Sequence, residues 1–531
     1  MGAHKAYNFE EPASPPTRAH REDLHVNRTA HHYLRVATPA TPATLATLAL
    51  ALTLTACGGG SPSGPDGSGS KAAVNISRSA VTLITGDTVR LTVSVRGDDG
   101  VVVPGATVQW SSSNPSVASV SDGLVTALAA GNTDISASSN GVTAKSTVTS
   151  HVGSGARVPS MEPYDQIIPA LMGKWQIPGG AVAVMKDGVV IFSRGYGYAD
   201  VDAKVPVAPD ALFRIASVSK PITSAAILKL VDDGELSLDD HPFDILSDLA
   251  APDGSTEDPR LADITIRHLL EHAGGWDRDA SGDPMFMSSS IASALGTDAP
   301  ASVEDVIRYM RGQPLDFDPG SRYVYSNFGY AVLGRVIEKI TGQSYEQYVK
   351  TNVLQPMGIT RMTIGATRLS GRLDGEVKYY ETAGNVMSVF PGEGMVPWPY
   401  GGFYIEAMDS HGAWVASTLD LLNFVKHIDP RTAPTPFLST ATTAAMLAHP
   451  PAPLWQGSAS WYGLGWLVRP SGGDANWWHD GSLPGTTTLV VRAYNGYTWA
   501  AFFNARASTS TSSFAAELDP ALWDALSGSG L

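Results

Sequence analysis

The spacing of apolar residues changes part-way along this 531-residue chain, and a change of period is a change of fold. Val89, Leu91, Val93 and Val95 alternate with Arg90, Thr92 and Ser94, the pattern of a strand with one buried face. Short Val-, Thr- and Ser-rich strands recur at roughly ten-residue spacing as far as Val152. Asp98-Asp99-Gly100 and Ser121-Asp122-Gly123 mark turns between them. This predicts a small all-β sandwich over residues 73–152. A short linker, residues 153–160, separates it from a region of mixed period. There, apolar strands at 180–185 and 189–193 flank Lys186-Asp187-Gly188, a hairpin signal that makes the sheet begin antiparallel. Helical spacing follows. Ile222, Ala226, Leu228, Leu230 and Val231 predict an amphipathic helix stopped at Gly234. Ile266, Leu269 and Leu270 predict another. Ser302 with Asp305 three residues on caps a third, and Tyr330, Leu333, Ile337 and Ile340 form a fourth that ends at Gly342. Strands at 487–491 and 497–503 and a helix at 514–526 close the chain. The order predicts an α+β domain over residues 161–531, with a helical insertion between two parts of one sheet.

Composition narrows the function. Hydrophobic content of 43% and charged content of 16% are globular values. The net charge of −15 argues against a nucleic-acid partner and against long anionic polymers. The one cysteine, Cys57, excludes an internal disulfide and a cysteine-based metal site. His268 and His272 sit four apart on one predicted helix, a metal-binding spacing, but no third ligand is evident and they read as structural. No cofactor is implied.

Residues 44–56 are an uncharged Leu- and Ala-rich run with Arg35, Arg28 and Arg21 upstream, the order of a secretory signal. The run is shorter than the roughly 20 apolar residues of a membrane-spanning helix. It ends in Leu54-Thr55-Ala56-Cys57, followed by Gly58, Gly59 and Gly60, and resembles a bacterial lipobox. That resemblance implies lipidation at Cys57, export, and anchoring to the cell envelope or surface, at the outer membrane in a Gram-negative cell. Residues 1–34 are long and polar for the start of a signal; they read as a start placed too far upstream. Residues 58–72 have the Gly/Ser/Pro composition of a flexible tether.

Three short motifs carry the chemistry. Ser217-Val218-Ser219-Lys220 is S-x-x-K, Tyr325-Ser326-Asn327 is Y-x-N, and His479-Asp480-Gly481 is H-x-G. The first pattern alone is weak, since Ser68-Gly69-Ser70-Lys71 repeats it in the tether. Ser217, however, lies at the start of a predicted helix, where residues three apart share a face and unpaired N–H groups point at developing negative charge. Pro221 agrees with a helix beginning there. A serine hydroxyl needs a base. Lys220 can be that base if burial lowers its pKa, and Tyr325, polarised by Lys220 and His479, is the other candidate. Asn327 is placed to orient Lys220 and the substrate. There is no G-x-S-x-G elbow to suggest a different hydrolase fold.

The segments around these motifs resemble the class C β-lactamase and DD-peptidase-like serine hydrolases of the penicillin-recognising superfamily. They include Ile177-Pro178-Gly179-Gly180, Phe213-Arg214-Ile215-Ala216 before Ser217, Ile264-Thr265-Ile266-Arg267-His268-Leu269-Leu270, Pro319-Gly320, Tyr462-Gly463-Leu464-Gly465-Trp466, and Ser482-Leu483-Pro484-Gly485 after the third motif. The resemblance implies an antiparallel sheet packed by helices, an all-helical subdomain, and an acyl-enzyme formed between them. It implies an oxyanion hole from the backbone N–H groups of Ser217 and Ser482. Val108-Gln109-Trp110-Ser111 and the Val- and Ser-rich run after it resemble a bacterial immunoglobulin-like domain of group 2, with Trp110 as core aromatic. This implies a spacer or a cell-wall-binding module.

True class C β-lactamases carry K-T-G at the third motif. Here His479 and Asp480 replace its Lys and Thr, which removes a cation and adds an acid. Losing one charged hydrogen bond costs roughly 1.5–3 kcal/mol, so a carboxylate-bearing substrate is disfavoured. The expectation is an esterase-like hydrolase of neutral acyl substrates, with Asp480 and Gly481 lining the substrate site. The rivals are a D-amino-acid peptidase or carboxypeptidase, a weak β-lactamase, a penicillin-binding sensor that does not turn over, and an envelope-binding protein. The segment 277–297, rich in Ser, Gly, Met and Asp, is expected to be a loop at the cleft mouth that sets specificity.

Overall fold

The computed structural model describes residues 72–433 and 435–530; Cys57 and the leader lie outside the described residues. The first region is a β-sandwich. One sheet runs Ala80–Ile84, Val142–His151, Gly131–Ser139, Gln109–Ser112, and the other Thr88–Arg90, Leu124–Ala127, Ala118–Ser121. Val81, Leu83, Leu91, Val125, Ile135 and Val148 fill the space between them. Trp110 is only half-buried, because Gln109–Ser112 is an edge strand and its ring covers the rim of the core.

The second region is built on an antiparallel sheet. Its order is Gly153–Ser154, Val189–Asp200, Gly179–Lys186, Tyr497–Phe503, Thr486–Arg492, Asp474–Leu483, Leu467–Ser471, Trp461–Tyr462. The first hairpin and the last strands thus become neighbours, with Val182 opposite Ala501. Asp187 and Gly188 turn that hairpin with φ of 47° and 81°. Both faces are covered, which is why the strands read as unbroken apolar runs. Val182 and Val184 face helices Glu162–Trp175 and Phe514–Gly528, while Ala181, Ala183 and Met185 face the core that holds Ser219–Asp232, Asn327–Thr341 and Thr418–Ile428.

Three expectations change. Helix Ser219–Asp232 is not amphipathic over its first two-thirds: every residue from Ser219 to Leu228 is buried, because it runs between the sheet and helix Asn327–Thr341. His272 does not share a helix with His268; the helix is Ile266–Leu270, and His272 lies beyond it with φ of 58°. Residues 153–160 do more than connect. Gly153 and Ser154 pair with Tyr196 and Gly195, and Ser154 Oγ donates to the Val207 carbonyl at 2.7 Å.

The two regions are locked by a buried ion cluster. The Arg194 guanidinium, fully buried, donates to Asp87 of the sandwich at 2.9 Å and to Asp165 of helix Glu162–Trp175 at 3.0 Å. Tyr196 Oη donates to the other Asp165 oxygen at 3.0 Å. Arg78 of the sandwich and Arg157 both reach Glu162, at 2.5 and 2.9 Å. Ile84 packs into the apolar layer beneath the sheet. Among the described residues no helix is long and apolar enough to cross a membrane.

Candidate active site

Ser217 sits on a tight turn, Ala216–Val218, that leads into helix Ser219–Asp232. Ala216 has φ of 50°, a left-handed conformation that costs a non-glycine residue about 1–3 kcal/mol. The surroundings hold it there. Ile215 N donates to the Trp414 carbonyl at 2.8 Å, and the Ile215 carbonyl accepts from Thr488 Oγ1 at 2.8 Å. Strand Asp474–Leu483 presses against this turn at Gly481, where a Cβ would lie 2.2 Å from Thr488 Oγ1 and 2.5 Å from the Ile215 carbonyl oxygen. The glycine of H-x-G is therefore a packing requirement at the Ser217 turn. Ser217 itself remains half-exposed.

Lys220, one turn on, is fully buried. Its ammonium nitrogen donates to Ser217 Oγ at 3.2 Å, to Asn327 Oδ1 at 2.7 Å and to the His411 carbonyl at 3.0 Å. None of these acceptors is charged. Burial therefore holds the Lys220 pKa well below the usual lysine range; the Arg278 charge adds to the effect, and Asp283 and Asp480 oppose it. Asn327 is fixed from its other end, where Nδ2 donates to Asp283 Oδ2 at 2.6 Å.

Tyr325 lies beside this pair but not in line with it. Lys220 Nζ stands over the Tyr325 ring, 4.7 Å from its centroid, rather than at its hydroxyl. Tyr325 Oη is buried, with the Ser217 hydroxyl near enough to act on it but no well-formed hydrogen bond among the described residues. Burial pushes its pKa well above the usual tyrosine value; the neighbouring Ser217 hydroxyl only partly offsets this, and the Asp480 charge reinforces it. His272 stacks on the ring with centroids 4.3 Å apart, and its Nδ1 accepts from Ser326 N at 3.1 Å. His479 contacts the Tyr325 ring only at 6.4 Å between centroids. Its nitrogens are engaged elsewhere, Nε2 with Tyr462 Oη at 2.9 Å and Nδ1 with the Asp480 carbonyl at 2.6 Å. Burial, with Lys220's charge second, lowers its pKa to about 3, so the imidazole is neutral. Burial raises the Asp480 pKa, partly offset by a backbone hydrogen bond and by the Lys220 and Arg278 charges. Ser482 is exposed on a stretch of strand whose outer edge has no strand partner past Trp478. The Arg278 guanidinium covers the Tyr325 ring from outside at 5.1 Å and forms no ion pair among the described residues.

Comparison with known proteins now places this geometry. Residues 164–520 match the β-lactamase family profile. The chain belongs to the β-lactamase family. Ahead of this β-lactamase-family domain, residues 72–150 match the bacterial Ig-like domain (group 2). Protein flp of Staphylococcus aureus (strain COL) is 32% identical over 216 residues, 40% of either chain. Penicillin-binding protein 4* of Bacillus subtilis (strain 168) is 28% identical over 320 residues, 59% of this chain and 65% of that one. The matches thus span about two fifths and just under two thirds of these curated relatives. The octameric penicillin-binding protein homologue from Pyrococcus abyssi is similar in structure, with a TM-score of 0.51 at 26% identity over 68% of this chain and 76% of that one.

Of the residues the sequence singled out in the β-lactamase-family domain, the structure gathers Ser217, Lys220, Asn327, Tyr325, Asp480 and Gly481. It turns His479 toward Tyr462 and away from the Tyr325 hydroxyl, because one imidazole nitrogen takes the phenol and the other the backbone. His268 closes a capping box with Thr265, through Nδ1 at 3.3 Å, and no metal-holding group of residues occurs among those described. Sequence reasoning marked the segment that holds Arg278 and Asp283 but named neither residue, and it missed His411 and the link from Tyr462 to His479. Only Asp283 left a signal: Asp before Pro284 is a cap pattern, and its Oδ1 accepts from Met285 N at 3.1 Å. The segment 277–297 is not all loop, since it contains helix Ser288–Leu295.

Proposed function

We propose that the chain is a serine hydrolase that forms an acyl-enzyme on Ser217, with Lys220 as the first base, and that it is esterase-like, acting on neutral acyl substrates. One observation carries this: a fully buried lysine amine, ringed by uncharged acceptors, lies 3.2 Å from the hydroxyl of a half-exposed serine. Burial favours the neutral amine, and a neutral amine accepts the Ser217 proton as Oγ attacks the acyl carbon. The backbone N–H groups of Ser217 and Ser482 receive the oxyanion. The ammonium formed on Lys220 returns its proton to the leaving oxygen or nitrogen. Tyr325 stays protonated, by the same burial that raises its pKa, and serves as a hydrogen-bond donor to the leaving group rather than as the first base. Water then attacks the ester on Ser217 by the reverse path. His479 orients Tyr462 and carries no proton in this scheme.

Neutral substrates are favoured because the third motif offers no cation. His479 is uncharged, and Asp480 brings an acid to the motif in place of a threonine. The test is hydrolysis of p-nitrophenyl butyrate by the full chain beside its Ser217→Ala variant. Turnover in the first and a loss on the order of 10⁴-fold or more in the second is expected. Nitrocefin turnover as efficient as ester turnover, or an unaffected variant, would sink the proposal.

Arg278 favours a second reading. An exposed guanidinium without an ion-pair partner, stacked on the Tyr325 ring, can take a substrate carboxylate from the loop side of the cleft, which would suit a D-peptidase. Stem peptides ending in D-alanine, hydrolysed faster than the ester and slowed by Arg278→Ala, would decide for it. We also propose that Cys57 carries a lipid anchor and that the Ig-like domain spaces the hydrolase from the envelope; radiolabelled palmitate incorporation lost in Cys57→Ser tests the anchor.

A further inference from the structure

Asp283 reaches the site from outside every motif. It stands before Pro284 in the turn Pro284–Phe286, and its two oxygens have separate duties. Oδ1 accepts from Met285 N at 3.1 Å, and Oδ2 accepts from Asn327 Nδ2 at 2.6 Å. Pro284 and Met285 are buried, so the carboxylate is anchored on its own backbone and has little freedom. On the far side of the same amide, Asn327 Oδ1 accepts from Lys220 at 2.7 Å.

The chemistry of the three groups allows one arrangement. A carboxylate only accepts, so it must take the amide NH₂, and the Lys220 nitrogen can donate to the remaining oxygen whether it is charged or neutral. The Asn327 amide therefore turns its oxygen to Lys220 and its NH₂ to Asp283; the flipped amide would set its oxygen against the carboxylate, acceptor against acceptor. We propose that Asp283 is a positioning residue for the reaction, acting through Asn327 to hold Lys220 on the Ser217 hydroxyl. The inference rests on the reading of Ser217 and Lys220 given above.

Asp283 also stands as a counter-charge one amide away from Lys220. The charged and titratable groups around Lys220 are Asp283 and Arg278 from one segment, Asp480 and His479 from strand Asp474–Leu483, Tyr325 and Tyr330 from the helix Asn327–Thr341 and its approach, and His272 and His411 from two further loops. Among these, Asp283 and Asp480 favour the charged amine. Neutralising Asp283 therefore makes Lys220 easier to deprotonate.

The experiment follows covalent labelling of Ser217 by a fluorophosphonate as a function of pH. It uses the full chain and its Asp283→Asn and Asp283→Ala variants, with Ser217→Ala as control. Asn at 283 can still turn its one oxygen to Asn327 Nδ2, giving up the contact with Met285 N, and it lacks the charge. Its labelling rate should keep a plateau within about threefold of the unaltered chain, with the acidic limb moved down by about half to one pH unit. Alanine at 283 frees the amide, and the plateau should fall about ten- to a hundredfold. A purely structural role would lower both variants with the limb unmoved, and that result, or a limb moved upward, overturns the inference alone. Absence of Ser217-dependent labelling in the unaltered chain overturns the functional reading and the inference with it.

Discussion

Arg194 and Lys220 are both completely buried cations, and they are treated in opposite ways. Arg194, at the junction of the two regions, forks between two carboxylates, Asp87 and Asp165, at 2.9 and 3.0 Å. Lys220, in the site, touches a hydroxyl, an amide oxygen and a backbone carbonyl, while Asp283 stands one amide away. Direct contact with anions makes a charge permanent; neutral acceptors make it removable. Residue type follows the same division. A guanidinium stays protonated and suits a fixed bidentate clamp, whereas an amine shifts its pKa readily when buried. The placement of carboxylates, one shell nearer or farther, separates a structural cation from a chemical one.

Exchanging the cation type breaks the comparison most sharply at Lys220. Lys220→Arg keeps the charge and roughly the reach, but a guanidinium does not give up its proton at neutral pH. Ester turnover and Ser217 labelling should both fall by about 10²–10⁴-fold, with the folded chain retained by circular dichroism. Activity within tenfold would show that Tyr325 or another group takes the first proton.

At the junction the loss should appear in stability. Arg194→Met leaves Asp87 and Asp165 buried without their cation and should cost about 3–5 kcal/mol in urea unfolding at pH 7.5. Adding Asp87→Asn and Asp165→Asn to it should recover a large part of that cost, since a fully neutral cluster buries no lone charge. A single variant as stable as the parent would mean the regions are held by apolar contacts such as Ile84 alone.

A smaller effect lies in the pH dependence. Burial outweighs Arg194 and Tyr196 and lifts the Asp165 pKa from 3.8 to about 6. The folded chain thus keeps a proton that the unfolded chain releases between those values. The stabilisation from this group is complete below about pH 4 and is lost as pH rises through about 6, a change on the order of 3 kcal/mol. Measured at pH 4.5 and 7.5, the stability difference between the parent and Asp165→Asn should move toward the variant at the higher pH. A difference that stays constant would place the Asp165 carboxylate in a fully compensated pair.

Much of this protein was legible without coordinates, and the legible parts share one property: each is decided within a few residues. The Asp187-Gly188 turn, the Ser302 cap with Asp305, the stop at Gly342 and the three-residue spacing of Ser217 and Lys220 all depend on backbone geometry over a single turn. The change of apolar period near residue 160 is read in the same local way. What only the tertiary structure decided is set by contacts between distant segments. Asn327 meets Asp283 across 44 residues, Arg194 meets Asp87 across 107, and the strand bearing Gly481 comes to rest on the Ser217 turn. A carboxylate in a loop reads the same whether it faces water or an amide, and a helix buried on all sides reads much like one buried on half. Only the closing of the chain selects which of several acidic side chains ends beside the lysine, and so which cation can give its proton away.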